Sequence, residues 1–212
     1  IANLLNDSEN HLFLASRNKG DLQGDNINFQ EFDVTKDGEL ELPDTLDGLV
    51  YCPGTINLKP FHRLKEEDFL NDFKINHLGA VKVIQQALKA LKKSDNASIV
   101  LFSTVAVQTG LSFHTSVASA KGAIEGLGIS LAAELAPKIR VNVIAPSLTD
   151  TPLASQLLSS DDKKQANADR HPLKRIGTTT DIAKAAKFLL SEDASWVTGQ
   201  VLTIDGGIGS LR

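Results

Sequence analysis

Four side chains carry the chemistry this sequence can offer. Lys121 sits in Ala120-Lys121-Gly122-Ala123 and provides an ammonium. Thr104 closes the apolar run Ser98-Ile99-Val100-Leu101-Phe102, and its hydroxyl can both donate to and accept from a reacting oxygen. His114 carries an imidazole, whose ordinary pKa of about 6.5 suits proton transfer near neutral pH. Asn76 lies in the middle of a long helical stretch. Together these are the parts of an acid–base site acting on a polarised oxygen. Each also has a structural reading: a surface lysine, a β-branched residue ending a strand, a loop histidine bonded to backbone, and an asparagine that bends a helix or bridges it through water. Cys52, the one cysteine, has no evident cation nearby to lower its pKa and reads as inert.

These side chains need a scaffold, and the chain supplies an alternating one. The predicted strands are 11–15, 28–32, 48–51, 98–102, 140–144 and 200–204, and the predicted helices are 66–92, 118–135 and 180–191. Thr180 and Asp181 read as helix starters, and Pro146 and Gly199 as breakers. Such alternation implies right-handed βαβ units, hence an α/β fold with a doubly wound parallel sheet between two helical layers. With 212 residues, 42% hydrophobic and 23% charged, the chain fits one soluble globular domain, 1–212. A net charge of −4 without a Lys/Arg cluster argues against nucleic acid and anionic lipid as partners, Lys92-Lys93 reading as a solvated helix end. A lone cysteine accords with a cytoplasmic location. There is no apolar run of about 18 residues, no signal-peptide order and no metal-ligand spacing.

Ligands of such sheets bind beyond the carboxyl ends of the strands, where the strand order reverses. The residues there are Ser16-Arg17-Asn18, Asp33-Val34, Cys52-Pro53-Gly54, Ser103-Thr104 and Pro146-Ser147. In this order they resemble the short-chain dehydrogenase/reductase family. Asp33-Val34 matches its adenine-holding acidic–hydrophobic pair. Tyr51-Cys52-Pro53-Gly54 stands where the family has Asn-Asn-Ala-Gly, and only the glycine is kept. Asn76 matches the asparagine that supports a proton-relay water, Thr104 the catalytic serine, and Lys121 the lysine of Tyr-x-x-x-Lys. The strings Arg140-Val141-Asn142-Val143-Ile144-Ala145-Pro146 and Trp196-Val197-Thr198-Gly199-Gln200, followed by Asp205-Gly206-Gly207, are the most specific.

The resemblance implies a Rossmann-type dinucleotide-binding domain and an NAD(P)-dependent oxidoreductase passing hydride between nicotinamide and a carbonyl or alcohol. Lys121 would fix the ribose, Leu148 and Thr151 would contact the nicotinamide amide, and the 152–172 segment would form a substrate lid. Arg17, where the adenosine ribose lies, favours NADP over NAD. The family also implies a homodimer or homotetramer formed through 66–92 and 118–135. Two departures stand out. The Gly-rich phosphate loop and the strand before it are not found, and because Ile1 opens inside a helix without a cap they are expected to precede it. Val117 occupies the tyrosine position four before Lys121, and the only tyrosine is Tyr51. That leaves His114 or a water on Asn76 as proton source. The alternative is a catalytically weak NADP(H)-binding sensor or scaffold.

Overall fold

A computed structural model describes residues 1–7 and 9–211. Six strands run parallel: β1 (Leu12–Ser16), β2 (Ile27–Glu31), β3 (Gly48–Tyr51), β4 (Ala97–Phe102), β5 (Ile139–Pro146) and β6 (Val201–Ile204). Seven α-helices are described: α1 (Ala2–Leu5), α2 (Glu66–Phe73), α3 (Gly79–Leu91), α4 (Ala106–Thr109), α5 (Thr115–Leu135), α6 (Asp161–Asp169) and α7 (Thr179–Leu190).

Residues 97–101 of β4 and 139–145 of β5 are buried without a break, as expected for strands covered on both faces. Their side chains nonetheless divide with period two. Ile99, Leu101, Val141 and Val143 pack with Ile84 of α3 and Ile124 and Ala132 of α5. Val100 and Ile144 turn the other way, onto Ala186 and Leu189 of α7. The result is the three-layer α/β/α arrangement read from the sequence. Arg140 ties α7 down: its guanidinium donates to the carbonyls of Leu189 (2.8 Å), Ala194 (3.0 Å) and Ser191 (3.1 Å), satisfying acceptors that the helix end leaves open.

Three expectations need correction. The helix predicted over 66–92 is interrupted by a π-helical turn, Lys74–Leu78, between α2 and α3. Two of the carbonyls around that turn are taken by side chains: Asn76 Nδ2 donates to Asp72 O (2.8 Å) and Tyr51 Oη to Ile75 O (2.5 Å). Gly79 permits the second contact, because a Cβ there would lie 2.2 Å from Tyr51 Oη. The last long helix begins with Thr178 as its cap, and Asp181 is the reciprocal partner of a capping box rather than a starter. The 152–172 segment is more regular than its composition suggested, holding a 3-10 helix, Pro152–Leu158, and then α6, capped by Ser160.

The sheet is also divided. β1 pairs with β2, and β3–β4–β5–β6 form a second sheet. Each of β1 and β3 has one paired edge, and no described strand joins the two. A cleft of about 360 Å³ lies between them, lined by Phe13, Leu14 and Ala15 of β1, Leu49 and Val50 of β3, and Val83 of α3. Unpaired strand edges leave N–H and C=O groups open to water. Amide hydrogen exchange in Leu12–Ser16 and Gly48–Tyr51 is therefore expected to run at least about tenfold faster than in β4 and β5. Equal protection in all four strands would show that the cleft is closed in solution.

Candidate functional site

The carboxyl tips of β3, β4 and β5 meet the π turn and the first turns of α5, and the site is assembled there. Residues Val117, Ala120, Lys121, Ile124 and Gly128 follow helical spacing on the buried face of α5, which brings Lys121 against the strand tips rather than into solvent. Lys121 is only 7% exposed. Its Nζ donates to Phe102 O at 2.8 Å, two residues before Thr104. Desolvation lowers the ammonium pKa to about 8, against opposing pulls from Cys52 and Asp72.

Gly54, Asn76 and Lys121 converge on one point. A Cβ built on Gly54 would lie 3.3 Å from both Asn76 Oδ1 and Lys121 Nζ. Asn76 is fully buried, yet its Oδ1 has no hydrogen-bond partner in the structure. Buried polar atoms are nearly always paired, so an unsatisfied acceptor beside an ammonium marks a place for a donor from water or ligand. All three are candidates from the sequence, and the structure brings them together.

The other candidates surround this group. Thr104 Oγ1 accepts the N–H of Ala106 (3.3 Å) at the start of α4, and the neighbouring Ser103 turns its hydroxyl to Glu125 (2.6 Å). His114 occupies the N-cap position of α5 without a side-chain cap bond. Its Nδ1 lies 2.8 Å from Ser112 O. A carbonyl only accepts, so Nδ1 carries the proton and Nε2 is the nitrogen left for other contacts. This bond matches the loop reading of His114. Leu148 and Thr151 follow β5 on a segment pinned by Gly177, whose N–H donates to Leu148 O (3.1 Å) and whose O accepts from Asp150 (2.9 Å). Val117 is 5% exposed and aliphatic. Tyr51 is buried and holds the π turn, and its burial pushes the phenol well above its ordinary range.

Arg17, Asp33 and Val34 belong to the other sheet. Arg17 is exposed after β1. Asp33 accepts from the Thr35 hydroxyl (2.7 Å) and N–H (2.9 Å), which hold its carboxyl below the usual value, with Lys36 and Arg17 adding weaker attraction. Val34 packs towards Gly79. Arg17 and Asp33 attract one another weakly across the strand tips, and Val34 packs against the core of the larger sheet.

Asp72, Thr55 and His171 escaped the sequence reading. Asp72 is completely buried and accepts from Thr55 Oγ1 (2.7 Å) and Ser116 Oγ (2.6 Å). The one available signal was helical: Asp72 lies four residues before Asn76, on the same face. Ser147 Oγ lies 2.8 Å from His171 Nε2, beside a small pocket of about 120 Å³ that Leu148 and Arg175 also line. Nothing in the spacing of residues 147 and 171 announces that pair.

Comparison with known proteins places this arrangement. The family model described as Enoyl-(Acyl carrier protein) reductase matches residues 23–209. The chain belongs to the short-chain dehydrogenase/reductase family. It is 32% identical over 203 residues to a 3-oxoacyl-[acyl-carrier-protein] reductase, FabG, of Chlamydia muridarum, covering 92% of this chain and 81% of that one. It is 37% identical over 164 residues to a tropinone reductase homolog of Arabidopsis thaliana, covering 77% of this chain and 63% of the relative's length. Among solved structures, ElxO with NADP bound superposes with a TM-score of 0.77 at 30% identity, covering 87% of this chain and 79% of that one. No helix of the described residues is long and apolar enough to cross a membrane.

The buried ammonium can be checked directly. With lysine ε-carbons isotopically labelled and the Lys121 resonance assigned by its loss in Lys121→Arg, NMR should show a titration midpoint at about 8. A midpoint near the ordinary lysine value of about 10.4 would mean that the side chain lies in water.

Proposed function

We propose that this chain is an NADP(H)-dependent oxidoreductase that moves hydride between nicotinamide and a carbonyl or alcohol carbon. The observation that carries the reading is the Lys121 ammonium, buried at the strand tips beside the open Oδ1 of Asn76 and against a glycine that leaves room at Gly54. Bound across these tips, the nicotinamide cofactor supplies the hydride acceptor or donor. Lys121 would hold the ribose hydroxyls, with Leu148 and Thr151 towards the amide and Asp33 and Val34 towards the adenine. Arg17 suits the 2′-phosphate of NADP, and the NADP bound by ElxO supports that choice without excluding NAD.

The proton step falls to this chain's own groups. Thr104 polarises the substrate oxygen, and a water held by Asn76 Oδ1 and Lys121, or the doubly protonated ring of His114 through its Nε2–H, supplies the proton. The ammonium must be charged for this work. Reduction should therefore be fastest below pH 8 and decline as pH rises through about 8, where Lys121 loses its proton.

The same reading assigns the divided sheet. The cleft between β1 and β3 is flanked by parallel strands and lined mainly by apolar residues, with Asn28, Gln30 and Glu41 at it as well. It suits one further parallel strand, followed by a Gly-rich turn for the pyrophosphate. Filling it would slow amide exchange in both bordering strands, and unchanged exchange in a chain carrying that segment counts against the assignment. We also assign a homodimer or homotetramer formed through the α2–α3 stretch and α5. Leu70 (60% exposed), Leu78 (50%) and Ile129 (51%) leave apolar surface on these elements. A monomeric mass at micromolar concentration would exclude it.

Val117 favours a second reading. A valine has no titratable proton, and removing a general acid typically costs about 10² to 10⁴ in rate. A protein that binds NADP(H) and turns over weakly, acting as sensor or scaffold, is consistent with that side chain. Titration with NADPH and NADH, followed by a carbonyl panel, separates the two. Tight NADPH binding, oxidation of NADPH on at least one carbonyl, and a loss of roughly tenfold or more in kcat in His114→Ala would identify the enzyme and its acid. Binding without turnover on a broad panel favours the sensor, and failure of both cofactors to bind defeats both readings.

A further inference from the structure

Asp72 has no role in the reading above, yet its position needs an explanation. A fully buried carboxylate costs several kcal/mol unless it is paired. Among the described residues no Lys, Arg or His lies within ion-pair distance of it. Two hydroxyls serve it instead, Thr55 at 2.7 Å and Ser116 at 2.6 Å, lengths typical of bonds to an ionised oxygen.

The direction of these bonds has a consequence. Thr55 has a single hydroxyl proton, and Asp72 Oδ1 takes it. The Thr55 oxygen is then an acceptor only, and Asn76 Nδ2 donates to it at 2.8 Å. Asn76 Nδ2 also donates to Asp72 O, again at 2.8 Å. Both amide hydrogens are committed, so the amide cannot flip and Oδ1 is left on the side where Gly54 and Lys121 Nζ lie. On the other arm, Ser116 directly precedes Val117 on the first turn of α5, five residues before Lys121. The titratable groups facing Lys121 are Cys52 from the end of β3 and Asp72 from α2, while Glu125, one turn along α5, is engaged by Ser103.

We propose that Asp72 is a positioning residue: through Thr55 it orients Asn76 Oδ1 towards Lys121, and it sets its own carboxylate among the groups that face the Lys121 ammonium. The proposal rests on the oxidoreductase reading for its kinetic consequence and not for its electrostatic one. It explains how a site with valine in place of an acid keeps a charged ammonium and an acceptor facing one another.

Two variants test the two arms. Asp72→Asn keeps the shape and removes the charge. In the folded variant, the Lys121 titration midpoint measured by NMR should fall, by more than about 0.2 pH units. The alkaline limb of the kcat profile should move with it, while the dissociation constant for NADPH changes less than about threefold. Thr55→Val leaves the carboxylate in place and cuts its link to Asn76. Here kcat should fall about tenfold with KM little changed and the Lys121 midpoint unmoved. A purely structural Asp72 would lower the melting temperature and leave both titration and kcat/KM split untouched. A Lys121 midpoint within about 0.2 units of the parent in Asp72→Asn overturns the electrostatic arm. Parental kcat in Thr55→Val overturns the orienting arm, and that variant decides the matter if Asp72→Asn does not fold. Because the NMR titration needs no substrate, it still decides the electrostatic arm if no carbonyl is ever reduced.

Discussion

Burying an ammonium is expensive, and much of this molecule's architecture is arranged around the one at Lys121. Three groups stand around it: the carbonyl of Phe102, which accepts from it, the buried carboxylate of Asp72 and the open oxygen of Asn76. They arrive from different parts of the chain. β4 ends at Phe102, α2 carries Asp72, the π turn carries Asn76, and α5 carries the lysine itself. A shift in any one element would strand a charge in a low-dielectric setting, so packing and electrostatics constrain the same few elements.

The π turn is where this constraint meets the fold. A regular helix through 74–78 would satisfy its own carbonyls and present Asn76 differently. Instead, side chains of Asn76 and Tyr51 take the carbonyls of Asp72 and Ile75, and the missing side chain at Gly79 leaves room for the phenol. The only tyrosine of the chain thus supports the site from behind, while the aliphatic Val117 stands on α5 near the lysine. The proton chemistry proposed here falls to groups held by hydrogen bonds instead of to a phenol.

The fold was largely legible in the sequence, because short apolar-rich segments such as 98–102 and 140–144, alternating with helical stretches, identify parallel strands, and the order of post-strand residues locates their tips. Gly54 was found because it follows a strand end, and Lys121 and Asn76 because the short strings around them resemble those of the family. The π turn was invisible, since it depends on Tyr51, more than twenty residues earlier, and periodicity is local. Asp72 and Thr55 were missed for the same reason: their partners lie 44 and 17 residues away in sequence, and a polar residue on a helix ordinarily reads as solvated. The division of the sheet was also out of reach, because each strand has its own correct pattern whether or not a neighbour fills the place beside it.

That division shapes how the molecule holds together. β1 and β2 hydrogen-bond to each other and to no strand of the larger sheet, so backbone pairing does not couple the two halves. What joins them is helix and loop contact, such as Lys187 of α7 reaching the carbonyl of Leu4. Cooperativity in folded domains follows shared hydrogen bonds and shared core. The amino-terminal pair is therefore coupled to the four-stranded body through side chains: Val34, just after β2, and Leu42 and Leu46 pack against the core of the larger sheet, and Gln86 of α3 bonds the backbone of Gly38 and Leu40. Arg17 and Asp33 follow the smaller sheet, the Lys121 cluster follows the larger one, and Val34 bridges them by packing towards Gly79 at the end of the π turn.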